Sequence, residues 1–505
     1  MPSLNVTFIS YLCQNTYPMA KISKSSFVRG TNCHKSLYLH LNNPELKDTV
    51  SQSQQHIFNM GYEVGEAAQH CFPGGIDASR GNPHEVQQAL QYTRELITSG
   101  QKVIYEAAFS DGETLCYMDI LVNNDGRWEA YEVKASTDPK DYHYTDISFQ
   151  YYVIRASGLD LAEISLMHLN TKYVRRGELD TKQLFTTINL TSFALEKQQD
   201  VKQNLQALQQ MLAQDTTPQI EIGRQCTHPY TCDFYGFCHQ DEVTDIFSGL
   251  KSVKKSKIEL LREAEVSRLD EIPPSIRFTT KEWIILQGLF KDEVNRNKPA
   301  LEAFVSQLQY PLYFIDFESM QLPVPRYDDS RSYQQLTFQY SLHIVNSPGE
   351  APIHKEYLGT PPDDPRPQFI INMLDQLGTS GSILIYNSAF EPPRVRELAR
   401  DFPEFEKPLQ ALLPRFVDLM VPFRSLHLYT PAMKGSYSIK AVLPALVPHL
   451  SYAALGIQDG GTASLTYLSL FNDSDPLIIQ QKRNDLLEYC KLDSLAMVEL
   501  LKQIS

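Results

Sequence analysis

The sequence predicts an α/β protein built as two domains, and three observations carry that expectation. The chain has 505 residues, more than one hydrophobic core commonly supports. Strand-like and helix-like runs alternate in two separate blocks, one ending near residue 240 and the other beginning near 305. Between them, from Ser248 to Phe304, a polar stretch containing KSVKKSKIELLREAEVSRL reads as helical. The expected division is 1–240, a helical connector over 241–305, and 306–505.

The first block opens with helical patterns over Phe27–Leu41 and His56–His70. Three β-rich runs follow, VIYEAAF, LCYMDILV and WEAYEVKA. A helical stretch around Phe149–Ala156, the run EISLMHL and a helix over Leu195–Leu212 complete it. The second block reads PLYFIDFES, FQYSLHIV, SILIYNSAF and a long final helix over Pro476–Gln503.

Composition removes several function classes. No run of 18 apolar residues exists, so a membrane span is not expected. The N-terminus lacks a basic start followed by an unbroken apolar stretch, which argues against a secretory signal and for the cytoplasm. Lys+Arg 46 against Asp+Glu 60 leaves a net charge of −14, which excludes an overall basic coat but leaves room for a local basic groove. Eight cysteines are too few for a disulfide scaffold in a chain of this size. In a reducing compartment, clustered thiols point to metal. The lysines Lys251, Lys254, Lys255 and Lys257 read as a solvated helix face.

The first constellation lies on a hairpin. Asp125-Gly126 suits a two-residue loop, because both central positions need positive φ. Opposed residues then sum to 251, placing Asp119 across from Glu132. Residues two apart share a sheet face, so Asp119, Glu132 and Lys134 project together, while Met118, Ile120, Val122, Tyr131 and Val133 line the opposite, buried face. Two carboxylates can hold a divalent cation, and an ammonium beside them can orient water or stabilise developing charge. A solvated cross-strand charge pattern is the bland alternative. On a polar sheet face these side chains would contribute little to packing.

The wording YMDIL followed by YEVKAST resembles the PD-(D/E)xK nuclease core in its RecB-like form. The resemblance implies Asp119, Glu132 and Lys134 as catalytic, with Gln150 from the following helix and Glu66 as a further metal ligand. Many relatives carry a His four residues after a Gly; here Gly65 leads to Gln69, with His70 one residue late, so Glu66 and His70 both stand as candidates.

The second constellation is CTHPYTCDFYGFC, which spaces Cys226, Cys232 and Cys238 by five residues each. A tetrahedral set needs one more soft ligand, and Cys33 is the best candidate. One cysteine before the core and three after it resembles the iron–sulfur RecB-type nucleases, and that resemblance implies a 4Fe–4S cluster. Zinc stays open, because His34, His228 and His239 lie alongside. Cys13, Cys71, Cys116 and Cys490 read as small buried hydrophobes.

In the third constellation, Asp316 and Glu318 alternate with Ile315 and Phe317 on an apolar strand and so share one face. Glu391 lies near a helix start, and Tyr489 and Asp493 are four apart on the final helix. Together these resemble the three motifs of DnaQ-like, DEDD-type 3′→5′ exonucleases, in the variant with Tyr in the third motif. The resemblance implies Asp316, Glu318, Glu391 and Asp493 as metal ligands and Tyr489 as a catalytic partner. The second motif usually ends in Asp, so Glu391 departs from it, and Asp418 is a possible substitute. Lys434, Gly435, Ser436 and Lys440 form either a phosphate-contacting loop or a routine capped helix.

Most of the chain resembles a bacterial family that fuses an iron–sulfur RecB-like nuclease module to a DnaQ-like exonuclease module. This implies a restriction-endonuclease-like core with an iron–sulfur clasp, followed by an RNase H-like DEDD core. It also implies phosphodiester hydrolysis with Mg²⁺ or Mn²⁺, on a nucleic-acid substrate with DNA ahead of RNA. A nucleic-acid-binding or scaffold protein with one or both sites inactive is the alternative.

Overall fold

The computed structural model describes residues 22–50, 52–79, 85–240 and 244–505; Cys13 lies outside them. The chain is α/β and divides into two compact units. The first comprises Met1–Thr49, Gly61–Asn170 and Asp180–Asp241, and the second Val50–Met60, Thr171–Leu179 and Glu242–Ser505. Each carries its own mixed sheet.

The strands of the first unit are β1 (Ile22–Ser23), β2 (Ile76–Asp77), β3 (Val103–Phe109), β4 (Thr114–Asn124), β5 (Arg127–Lys134), β6 (Leu161–Leu169) and β7 (Phe185–Asn189). They run in the order β2-β3-β4-β5-β6-β7, with β1 beside the start of β4. β3, β4 and β5 form an antiparallel meander. β5 then pairs in parallel with β6, a connection that needs a crossover, and the Asp141–Ala156 helix supplies it. The turn has φ of 52° at Asp125 and 90° at Gly126, and the β4–β5 pairs run from Asn124↔Arg127 to Ile120↔Tyr131, the expected register. The helical pattern over Phe27–Leu41 proves to be two helices, Lys24–Asn32 and His34–Asn42, broken at Cys33. Gly30 lets the first of these approach the Gln198–Leu212 helix, since a Cβ there would lie 2.6 Å from Leu208 Cδ2.

Burial in this unit differs from the sequence expectation. Met118, Ile120 and Val122 are buried, but Tyr131 and Val133 only half so. Leu121, Ala130 and Trp128, which share the parity of Asp119 and Glu132, are buried in the same core as Phe149 and Val153 of the crossover helix. The carboxylates therefore sit on a covered face, not a solvated one. Crossover helices pack on sheet faces, and this one closes the polar face as well.

The second unit contains β8 (Asn295–Arg296), β9 (Leu312–Met320), β10 (Leu336–Val345), β11 (Ile353–Leu358), β12 (Ser382–Ile385), β13 (Phe416–Asp418) and β14 (Leu428–Tyr429). Five strands form one sheet in the order β11-β10-β9-β12-β13, in which β10 is antiparallel to both neighbours and β9, β12 and β13 are mutually parallel. β8 and β14 pair separately. Period-two alternation along β9 divides its side chains between two cores. Phe314 and Met320 pack with Leu486, Met497 and Leu500 of the final helix, Pro476–Ile504. Tyr313, Ile315 and Phe317 pack with Phe369, Met373 and Leu398 on the other side.

The expected connector does not stand apart as a spacer. Its helices Lys255–Glu263, Thr280–Lys291 and Lys298–Ser306 bury Ile258, Leu261, Ile285, Leu286 and Leu301 in the core that holds Phe314. A narrow apolar stripe was enough to bury these helices, although charged residues dominate the composition. Lys257 is not on a free basic face either, because its Nζ lies 2.7 Å from Glu282 Oε2.

Candidate functional site

Two carboxylate clusters form, one in each unit. In the first, register places Glu106 of β3 level with Asp119 of β4, and Asp119 level with Glu132 of β5. Glu106 has φ of 51°, and no ladder pair forms there between Tyr105↔Ile120 and Ala107↔Met118. Asp119 Oδ2 accepts from Val133 N at 2.6 Å. Glu132 is 1% exposed, and its Oε1 accepts from Lys24 Nζ at 2.6 Å and Lys134 Nζ at 2.8 Å. Gln150 Nε2 donates to Glu132 Oε2 at 2.6 Å and to Tyr117 O at 3.1 Å. Lys134 also pairs with Asp146.

Burial alone would disfavour the Glu132 charge, yet the Lys134 and Lys24 ammoniums hold its carboxyl well below the usual range. Burial and the neighbouring carboxylates push Asp119 up to about 7 and Glu106 up to about 8. Asp119, Glu132, Lys134 and Gln150 thus converge. Glu66 and His70 are exposed on and just beyond the Gln52–Gln69 helix, and neither bonds to this cluster among the described residues. Lys24, Glu106 and Asp146 were missed. Only the strand register points to Glu106, and nothing local marks Lys24.

The cysteines of the first unit draw together two distant segments. Cys33 caps the His34–Asn42 helix, its Sγ accepting from Ser36 N at 3.4 Å, while Ser36 Oγ lies 3.3 Å from Cys232 Sγ. Arg29 binds Asp233 at 2.6 Å, and Asp48 Oδ2 accepts from Gly236 N at 2.9 Å. Burial, then nearby sulfurs, push the Cys33 and Cys238 thiols up, with Cys226 and Cys232 the neighbours in both cases. All four are half-buried.

In the second unit, Asp316 and Glu318 lie on β9, the central strand. The final helix brings Tyr489, Cys490 and Asp493 to them. Its position is set by polar side chains of β10: Gln339 Nε2 donates to Leu486 O at 2.8 Å, and Ser341 and His343 meet Ser494 Oγ at 2.7 and 2.9 Å. Among the described residues, Asp316, Glu318 and Cys490 are the set whose potential ligand atoms all lie within 4.8 Å of one another. Cys490 is not merely a packed hydrophobe, since its Sγ donates to Asp316 Oδ2 at 3.6 Å. Cys116 is buried as expected, whereas Cys71 is half-buried and donates to Thr181 O at 3.3 Å.

Glu391 opens the Glu391–Asp401 helix, is 2% exposed, and leaves Oε2 without a hydrogen-bond partner. Asp418 is engaged differently. Its Oδ1 accepts from Asn387 N and Met420 N at 3.0 Å, and its Oδ2 from Ser388 N at 3.2 Å. It therefore shapes the loop leading to Glu391. Asn387 there has φ of 90°, a strained value for a side-chain-bearing residue.

Burial raises all four acids, and repulsion from neighbouring carboxylates adds to it at Asp316, Glu318 and Glu391, whereas Tyr452, Lys440 and Tyr489 partly offset it at Asp493. Asp316 and Glu318 go well above the carboxylate range, Glu391 to about 8 and Asp493 to about 6. Tyr452 OH donates to Asp493 Oδ1 at 2.5 Å, a contact unmarked in the sequence. Burial pushes the Tyr452 and Tyr489 hydroxyls far up, so both stay protonated donors. Lys440 Nζ lies 5.7 Å from each of their ring centroids, and its charge favours ionised Glu318 and Asp493.

A family model described as a domain of unknown function (DUF2779) matches residues 313–438. That span takes in Asp316, Glu318, Glu391 and Asp418, and ends before Tyr489 and Asp493. No curated protein matches the chain.

The raised carboxyls make a thermal prediction. The folded chain holds protons that the unfolded chain has released, so stability falls as pH rises through the folded values. The Glu132 carboxyl, held low, is ionised in both states above pH 6 and adds no slope. His40, His143 and His343, lowered to about 4 chiefly by burial, set the useful window above the ordinary histidine range. The melting temperature of chelator-treated protein should therefore fall between about pH 6.5 and 8.5. Mn²⁺ should restore it at the upper end by binding the ionised acids. A flat scan that is indifferent to Mn²⁺ would refute this electrostatic reading.

Proposed function

We propose that the second unit is a metal-dependent 3′→5′ exonuclease acting on nucleic acid, DNA ahead of RNA. The observation that carries this is the convergence of Asp316, Glu318, Glu391 and Asp493 from the central strand and two helices. Three buried carboxylates and the half-buried Asp316, with an unpartnered Oε2 on Glu391, form an oxygen set suited to Mg²⁺ or Mn²⁺. The strand order, with only the second strand of the sheet antiparallel, supports an RNase H-like core and thus the DEDD-type resemblance. Bound divalent cations would supply Lewis-acid polarisation of the scissile phosphate and an activated water. Tyr489 donates toward the acids and would orient that water, while Tyr452 holds Asp493 in place. Lys440, over the Tyr452 and Tyr489 rings, would balance phosphate charge. Asp418 positions Glu391 instead of replacing it.

The first unit is read as a RecB-like PD-(D/E)xK nuclease core. The meander, the crossover helix bearing Gln150 and the level placement of Asp119 and Glu132 support that reading. Asp119 and Glu106 are suited to a divalent cation; Glu132, with donors on both oxygens, fits one only if a donor withdraws. Cys33, Cys226, Cys232 and Cys238 would hold a 4Fe–4S cluster. A zinc–thiolate set, with Zn–S about 2.3 Å, needs sulfurs about 3.8 Å apart, and no three cysteine sulfurs among the described residues lie within 4.8 Å of one another. Anaerobically purified protein should be brown with about four iron per chain, and Cys33→Ala or Cys226→Ala should bleach it. Stoichiometric zinc without labile sulfide would defeat the cluster.

The reading as a whole is tested by cleavage of 5′- and 3′-labelled single- and double-stranded DNA and RNA across a Mn²⁺ titration. Mononucleotide release from 3′ ends is expected. The scaffold alternative, motivated by Glu391 where the related motif carries Asp, predicts binding without cleavage on every substrate.

A further inference from the structure

Lys24 has no place in the nuclease reading, yet it makes one of the shortest contacts of the first cluster. It opens the Lys24–Asn32 helix just after Ser23, whose hydroxyl accepts from Ser26 N at 3.2 Å. Ser23 pairs with Leu115 at the start of β4, so the strand that bears Asp119 also sets where Lys24 begins. From there Nζ reaches Glu132 Oε1 at 2.6 Å, across 108 positions of sequence. Lys134 meets the same oxygen at 2.8 Å, and Gln150 takes the other at 2.6 Å. Glu132 thus accepts from three donors, two of them cationic. A divalent ion beside Asp119 and Glu132 would face two ammoniums at close range. Exposure differs within the pair: the Lys24 side chain is 27% exposed and that of Glu132 1%. Lys24 has a way out to water and Glu132 has none.

We propose that Lys24 is the resident counter-ion of the first site, occupying the cation position at Glu132 and leaving it before a divalent metal can bind. The inference rests on reading the first unit as a metal-dependent nuclease core. It makes metal entry an exchange of one cation for another, in which Lys24 swings outward and Lys134 stays against Glu132 and Asp146. Lys134 belongs to the chemistry, whereas Lys24 is a positioning residue that sets how much metal is needed.

The test uses the full chain carrying Asp316→Asn and Asp493→Asn, so that the second site does not dominate the signal. Mn²⁺ affinity is measured by electron paramagnetic resonance. Lys24→Met should tighten binding at least about tenfold by removing one like charge, and Lys24→Arg should stay near the parent value. A second measurement needs no change at Lys24. Acetylation of its amine, followed by mass spectrometry, should be slow in metal-free protein and faster with saturating Mn²⁺. Equal Mn²⁺ affinity in the parent and Lys24→Met, or acetylation indifferent to Mn²⁺, overturns the counter-ion role while leaving a metal site standing. Absence of bound Mn²⁺ in every variant overturns both that role and the metal-dependent reading of the first unit.

Discussion

Asp316→Ala should abolish Mn²⁺-dependent 3′-end trimming, with a loss of about 10³-fold or more. Asp316 stands at the centre of its cluster, with Asp493, Glu318 and Glu391 all close enough to raise its carboxyl. Removing it would take away one of the four carboxylates proposed to hold the metal, and with it the charge stabilisation the metal would supply. Stability should move the opposite way. In metal-free protein the deletion relieves repulsion among buried acids, so the melting temperature should hold or rise near pH 8. This opposition separates a site residue from a packing residue, whose loss lowers both quantities. Glu391→Asp restores the residue usual in the resembled motif and should keep activity, whereas Asp418→Asn should weaken it through the Asn387–Ser388 loop. Unchanged trimming by folded Asp316→Ala protein would end the exonuclease reading of this unit.

Glu132→Ala should instead destabilise the protein strongly. A solvated strand position would be indifferent to the change, which is what the alternating pattern of β5 suggests on its own. The folded environment is different, because Glu132 is 1% exposed and binds Lys24, Lys134 and Gln150. Deleting one member of a buried charge cluster leaves its partners uncompensated, at a cost of about 3–5 kcal/mol. For a unit of this size that corresponds to a fall of roughly 10 °C in its melting temperature. Adding Lys24→Met should recover part of the loss, since one stranded ammonium is then gone. Thermal melts of the two single variants and the double variant decide this. A Glu132→Ala melting temperature equal to the parent's would show that the pairs contribute nothing net.

The two sites were legible in the sequence to different depths. Period-two alternation and turn chemistry are local properties, and they carried well. The Asp125-Gly126 loop alone places Asp119 level with Glu132, and the pairs Asn124↔Arg127 through Ile120↔Tyr131 follow from it. The alternation along PLYFIDFES likewise puts Asp316 and Glu318 on one face, and the run from Pro476 reads as one long helix. Apolar stripes thinned by charge did not carry, which is why Ile258 and Leu261 looked like part of a connector and are core.

Partners distant in sequence were invisible. Lys24 meets Glu132 across 108 positions, and Tyr452 meets Asp493 across 41. Such contacts depend on where whole elements pack, and no local period encodes them. The sequence by itself determined which strands and helices form and which acids share a face. Tertiary structure decided which of those acids are buried, what charge lies beside each and whether a carboxyl keeps its proton. The physical reason is that side-chain direction follows from backbone geometry residue by residue, whereas desolvation and Coulomb interaction are summed over everything the fold brings near.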